Sequence, residues 1–109
     1  MRHFTDEALH LVAERFKALA EPMRLRILNA LRDGELTVSE LVERTGATQA
    51  NISRHLALLH SHGMVARRKE GLHVYYRISD PVVFELCETI CARLEREFEN
   101  VRRTLGDRG

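Results

Sequence analysis

From Asp6 to Ala20, the residues Leu9, Val12, Ala13, Phe16 and Ala20 recur at three- and four-residue spacing, the period of one helical face. A second helix is predicted from Pro22, whose missing N–H costs nothing in a first turn. Leu25, Ile27, Leu28 and Leu31 give that helix its apolar side, and Gly34 is its expected left-handed stop. Thr37, followed three residues on by Glu40, forms a capping box ahead of Leu41 and Val42, so a short third helix starts there and closes at Gly46. Thr48 then N-caps a fourth helix that buries Ile52, Leu56 and Leu59 and stops at Gly63. A short helix, a tight glycine-containing turn and a longer helix over about residues 37–62 make a helix-turn-helix.

After Gly63 the period changes to alternation. Leu72, Val74, Tyr76 and Ile78 fall on one side of a predicted strand and His73, Tyr75 and Arg77 on the other. Met64 to Lys69 is the expected partner strand and Glu70-Gly71 the turn, giving a hairpin over about residues 64–79. Asp80-Pro81 reads as N-cap and first residue of a last helix, about residues 81–105. Val83, Cys87, Ile90, Cys91, Leu94, Phe98, Val101 and Leu105 form one apolar stripe along it. At 1.5 Å per residue this helix is roughly 37 Å long, more than a small monomer needs to cover its own core. The stripe is therefore expected to meet a second copy, most simply in a two-fold dimer. The predicted chain is one domain over residues 1–109, mainly α with a two-stranded β-hairpin, in the order ααααββα and dimeric through its terminal helices.

Composition narrows the class without changing this picture. With 109 residues, 44% of them hydrophobic and 30% charged, the chain is expected to fold as one globular domain. No apolar run approaches the roughly 18 residues of a membrane span, and the start MRHFTDEALH lacks a signal-like apolar core, so a cytoplasmic protein is expected. Two cysteines four residues apart read as reduced thiols rather than a disulfide framework. Charge is more informative by segment than in total. Residues 1–43 carry six Lys/Arg against eight Asp/Glu, and residues 78–109 carry five against seven, a net −2 for each flank. Residues 44–77 carry six against one, a net +5, with four of the six histidines. A basic block between acidic flanks, with Arg67, Arg68 and Lys69 adjacent at the hairpin tip, suits a phosphate backbone.

The stretches EPMRLRILNAL, TQANISRHLALLHSHGMVARRKEG and VYYRIS resemble the winged-helix repressors of the arsenic-repressor (ArsR/SmtB) family, over about residues 10–100. The most specific part is Gln49 to Tyr76, where SRHLALL, HGMV and the basic wing stand in the family's order and spacing. The resemblance implies a winged helix-turn-helix homodimer that binds pseudo-palindromic double-stranded operator DNA and, in most members, releases it when an inducer binds. It places the fourth helix in the major groove, with Thr48, Gln49, Asn51, Ser53, Arg54 and His55 as candidates for base and phosphate contacts. The side chains suit this role: Arg can bond guanine bidentately, Gln or Asn can bond adenine, and Ser can bond base or phosphate. His55 has a second reading as a flank histidine packing on the domain, and Asn51 as part of the helix cap. Arg67, Arg68, Lys69 and His73 are the wing's candidates for phosphate or minor-groove contact, and Arg24 for an added backbone contact.

The inducer is less legible. The family's E-L-C-V-C-D-L thiolate site corresponds here to ELTVSEL, with Thr37 and Ser39 in place of both soft ligands. A second family site needs histidines in the last helix, but Val82 stands where the first would be and no histidine follows His73. Cys87 and Cys91 remain, one helical turn apart on one face. They read either as small buried hydrophobes or as a sensor for thiol-reactive signals, arsenic, antimony or a soft metal ion, with His3 and His10 as further candidate donors. A thiol enzyme built on Cys87-x-x-x-Cys91 lacks a neighbouring histidine, a Gly-rich phosphate loop or a paired-acid motif, so no enzyme is expected. A winged-helix module that binds protein through the basic face is the other alternative.

Overall fold

The computed structural model of the protein describes residues 3–104, with side chains through residue 100. Five helices and one small sheet follow in the order α1 (Asp6–Leu19), α2 (Pro22–Ala30), β1 (Leu36–Thr37), α3 (Val38–Thr45), α4 (Gln49–Ser61), β2 (Val65–Glu70), β3 (His73–Ile78) and α5 (Val82–Thr104). The helix starts follow from capping chemistry. Thr5, Thr37 and Thr48 each accept a backbone N–H three residues on, and the Thr37–Glu40 capping box is reciprocal. Glu21 caps α2 by accepting from the Arg24 N–H at 3.0 Å, with Pro22 in the first turn. Asp80 caps α5 through its side chain to the Val82 N–H at 3.1 Å. In the turn between α3 and α4, Gly46 takes φ 76°, a left-handed conformation that reverses the chain within three residues.

Three details differ from the sequence expectation. The sheet has three strands, ordered β1-β3-β2, because Leu36 and Thr37 pair with Tyr76 and Tyr75. A two-residue strand carries no period to read. The hairpin turn is also one residue later than expected: Glu70 pairs with His73, so Gly71 (φ 61°) and Leu72 form the turn. Leu72 is therefore 98% exposed at the tip instead of sharing a face with Val74, Tyr76 and Ile78. In addition, α2 runs into a 3-10 turn at Leu31–Asp33 before Gly34, so that glycine ends the turn rather than the helix.

Ile27, Leu41, Ile52, Leu56, Leu59, Val65 and Val83 are almost fully buried and form the centre of the core. All but Val83 come from residues 27–65, so the helix-turn-helix is the best-anchored part of the fold. The terminal helices contribute little to it: Ala18 from α1 and Val83 from α5. Phe16 on α1 and Ile90, Leu94 and Phe98 on α5 remain exposed, Phe98 at 66%. The stripe's last two members, the Val101 side chain and Leu105, lie outside the described residues. The radius of gyration is 17.2 Å, against about 13 Å for a globular chain of this length. A helix of 23 residues held at one end accounts for the excess.

Candidate nucleic-acid interface

The outer side of α4 carries Gln49, Ala50, Ser53, Arg54 and Ala57, all exposed, while Ile52, Leu56 and Leu59 seat its inner side in the core. Asn51 does two things. Its N–H donates to Thr48 Oγ1 at 3.2 Å, and its side-chain Oδ1 accepts from the Arg54 guanidinium. The Asn51–Arg54 bond lies on the exposed side of α4 and holds the arginine along the helix surface.

His55 and Arg24 are turned into the fold. The His55 side chain is only 17% exposed, with Nδ1 3.3 Å from Arg24 Nη1 and Nε2 3.7 Å from Glu21 Oε2. Arg24 Nε donates to the Ala18 carbonyl at 2.6 Å and Nη2 to the Lys17 carbonyl at 3.2 Å, capping the end of α1. Arg24 is thus a clamp joining α1, α2 and α4 instead of a free cation beside Pro22. Partial burial works to raise the Glu21 pKa, but N–H groups of Arg24 and Met23 and the charges of His55 and Arg24 outweigh it, leaving the carboxyl below its usual value.

The wing's three adjacent cations are not equivalent. Arg68 donates to both Glu35 carboxylate oxygens at 2.8 Å and to Glu70 Oε2 at 2.6 Å, and its guanidinium lies 4.5 Å from the Tyr75 ring centroid. The bidentate bond from Arg68 holds the Glu35 carboxyl below its ordinary range against the opposing effect of burial. Arg68 therefore braces the hairpin against the segment before β1, and two carboxylates neutralise its charge. Arg67 and Lys69 are exposed and take no such partner among the described residues. His73 is exposed too, its ring 6.2 Å from that of Tyr75. Sequence reasoning missed Glu35, Glu70 and Tyr75 as the partners that separate one wing cation from its neighbours. The signal available was weak, since Glu35 is 33 residues from Arg68.

Cys87 is half-buried and Cys91 exposed, both as free thiols. They line one wall of a groove of roughly 530 Å³ between α2 and α5. Burial pushes the Cys87 thiol up, and the neighbouring Cys91 adds to the effect. Among the described residues no group of three or more His, Cys, Asp and Glu side chains could hold a metal ion, so His3 and His10 do not join the thiols in one chain. No described helix is long and apolar enough to cross a membrane.

These features define a winged helix-turn-helix protein with an exposed, short-chained outer side on α4 and a braced wing beside it. Residues 21–67 match the family model for bacterial regulatory proteins of the arsR family. The chain is 36% identical over 81 residues to the HTH-type transcriptional regulator KmtR of Mycobacterium tuberculosis, covering 74% of this chain and 62% of KmtR. It is 41% identical over 71 residues to a probable mercury resistance operon repressor of Streptomyces lividans, covering 65% of this chain and 57% of that one. The match thus spans less than two thirds of either relative. The homodimeric winged helix-turn-helix DNA-binding domain Mb0332 from Mycobacterium bovis superposes with a TM-score of 0.77 at 34% identity, covering 92% of this chain and 95% of that structure. The chain belongs to the arsR family of bacterial regulatory proteins, and its fold and relatives are those of transcriptional regulators rather than enzymes.

Proposed function

We propose that the protein is a homodimeric transcriptional repressor that binds a pseudo-palindromic operator, with α4 of each copy in a major groove. The observation that carries this reading is the pairing of an exposed, small-residue α4 bearing Gln49, Ser53 and Arg54 with a wing that presents Arg67 and Lys69 free of carboxylate partners. Small side chains let the helix lie close to base edges while Arg54, aligned by Asn51, reaches a guanine and Gln49 an adenine. Thr48 and Ser53 suit flanking phosphates, and His73 lies on the wing for the same use. The exposed apolar faces of α1 and α5, together with the homodimeric state of the Mycobacterium bovis relative, support a dimer through the terminal helices.

Release of DNA by a signal acting on Cys87 and Cys91 completes the proposal. Both thiols sit where α5 meets α2, so a change there reaches both the dimer helix and the DNA-reading unit. Among the described residues no third His, Cys, Asp or Glu side chain joins Cys87 and Cys91, so a metal or metalloid that takes three or more donors would draw the others from a second copy.

Binding to the chain's own upstream intergenic DNA, measured against a scrambled duplex at fixed salt, tests the repressor reading; equal affinity refutes it. Arg54→Ala is expected to lose about 1–3 kcal/mol of operator binding and to relax discrimination at one base pair per half-site. The wing gives a second expectation, read from the dependence of log K on log salt. Lys69→Met should flatten the slope by about one unit per wing engaged, whereas Arg68→Met should leave the slope nearly unchanged because Glu35 and Glu70 already neutralise that cation. Equal slope changes in the two variants would show that Arg68 leaves its carboxylates on DNA.

A further inference from the structure

The α2–α5 groove is walled by Leu25, Leu28, Val83, Phe84 and the two cysteines, with Asn29, Glu95 and the Arg32–Glu88 pair (3.1 Å) as its polar lining. Its volume of roughly 530 Å³ is within the usual span of small-molecule sites, about 300–1,000 Å³. The lining is mostly hydrocarbon, which suits an organic molecule better than a hydrated ion. A metal ion finds no third donor among the described residues. An internal disulfide is also poorly placed, since residues four apart on a helix hold their Cβ atoms about 5–6 Å apart, against the 3.5–4.5 Å a disulfide requires. What the groove offers is an apolar bed, an accessible thiol and a cation within reach of a carbonyl oxygen.

We infer that this groove takes an apolar carbon electrophile, an α,β-unsaturated ketone or aldehyde, which Cys91 captures covalently. This names the signal class of the sensor proposed above and rests on that reading for its effect on DNA. The Cys91 thiolate attacks the β-carbon, forming a C–S bond as the C=C π pair moves toward the carbonyl to give an enolate. The proton lost from the thiol returns to the α-carbon, so the addition is balanced and needs no oxidant or reductant. Arg32, which lines the same groove and is paired with Glu88, is the cation available there to an enolate oxygen. Cys91 is the nucleophile because in the single chain it is exposed and lines the groove on the α2 side, which Ile90, Leu94 and Phe98 of the dimer stripe do not line, whereas Cys87 is half-buried and its thiol form is favoured by that burial.

The adduct has a route to the recognition helix. The groove's other wall is α2, whose Arg24 holds the Ala18 and Lys17 carbonyls of α1 and meets His55 of α4. A molecule wedged between α5 and α2 therefore displaces the helix that positions α4, and Val83, which also lines the groove, is the residue of α5 buried in the core. In the adduct the spacing of the two α4 helices then no longer suits the operator.

The test uses 4-phenylbut-3-en-2-one as the apolar acceptor and acrylamide as a polar one, each scaled to its rate with N-acetylcysteine. Intact mass and peptide mapping are read on the full chain without DNA. One adduct per chain on Cys91 is expected, with an apolar preference of about tenfold, equivalent to roughly 1.4 kcal/mol. Cys87→Ser keeps this adduct, Cys91→Ser abolishes it, and Leu25→Gln removes most of the preference. The modified wild type is expected to bind operator at least tenfold more weakly. No preference between the acceptors, or adducts shared equally between the two cysteines, overturns the inference. So does full operator affinity in modified protein. If unmodified protein binds no operator, the repressor reading fails, and the DNA-free selectivity still decides the groove.

Discussion

Ile90→Glu is expected to convert the dimer to monomers and to lower operator affinity about a hundredfold or more. Ile90 is 58% exposed on α5, amid Leu86, Leu94 and Phe98, and it does not line the thiol groove. A folded chain gains nothing from an apolar stripe in water, and a standard interface buries about 800 Å² per partner. In a two-fold dimer each substitution appears twice, so two carboxylates enter an apolar contact at a cost of several kcal/mol per ion. Even about 4 kcal/mol of that cost is a thousandfold in the dimer constant. Operator affinity follows because a monomer engages one half-site and forfeits the local concentration of the second reader, worth roughly 10²–10⁴. Sedimentation across a concentration series measures the first effect and operator titration the second. A variant that stays dimeric would place the interface elsewhere. The thermal transition of the monomer provides the folding control, since Val83 and the rest of the core are untouched.

The second large effect is on stability. Leu56→Ala is expected to cost about 3 kcal/mol, within the 2–5 kcal/mol range for burying a cavity of this kind, and to lower Tm by roughly 15 °C at fixed protein concentration. Leu56 is fully buried, and α4 packs there against the elements that make the core. Leu58→Ala is the internal control. It removes the same atoms from the same helix at a site 37% exposed and should cost under about 1 kcal/mol. For a domain whose total stability is on the order of 5–15 kcal/mol, the contrast is large enough to read by denaturant or heat. Similar losses in both variants would mean that α4 is not seated through Ile52, Leu56 and Leu59.

The sequence made the helices legible because their punctuation is chemical and local. Thr37 with Glu40, Thr48, Pro22 and Asp80 each act within three residues of themselves, and all cap or open the helices expected of them. What could not be read acts over distance. Arg68 finds Glu35 across 33 residues, and Arg24 finds His55 across 31, so two cations that look free in the sequence are held by partners distant in the chain. The inward reading of His55, open from sequence alone, is the one its 17% exposure supports. Leu72 failed by a single residue of register: alternation continues through a turn on paper, but a two-residue turn at Gly71-Leu72 takes that leucine out of the sheet. The strand at Leu36-Thr37 was hidden because Thr37 also caps α3, and its capping signal is the stronger one. Cys87 and Cys91 were placed correctly on one face, but the groove beside them depends on α2, which no local pattern brings near.

The strand order has a consequence for solubility. With β3 central and β1 only two residues long, the outer side of β2 is the one extended edge whose backbone groups are open to another chain. Arg67 and Lys69 stand along that edge without carboxylate partners among the described residues, and their like charges repel a second copy approaching strand to strand, whereas Arg68 is already neutralised by Glu35 and Glu70. The same cations that suit a phosphate backbone thus guard the hairpin against self-association. Neutralising them together would carry a second penalty besides weaker DNA binding: an edge free to grow by adding strands at the concentrations in which regulators are purified.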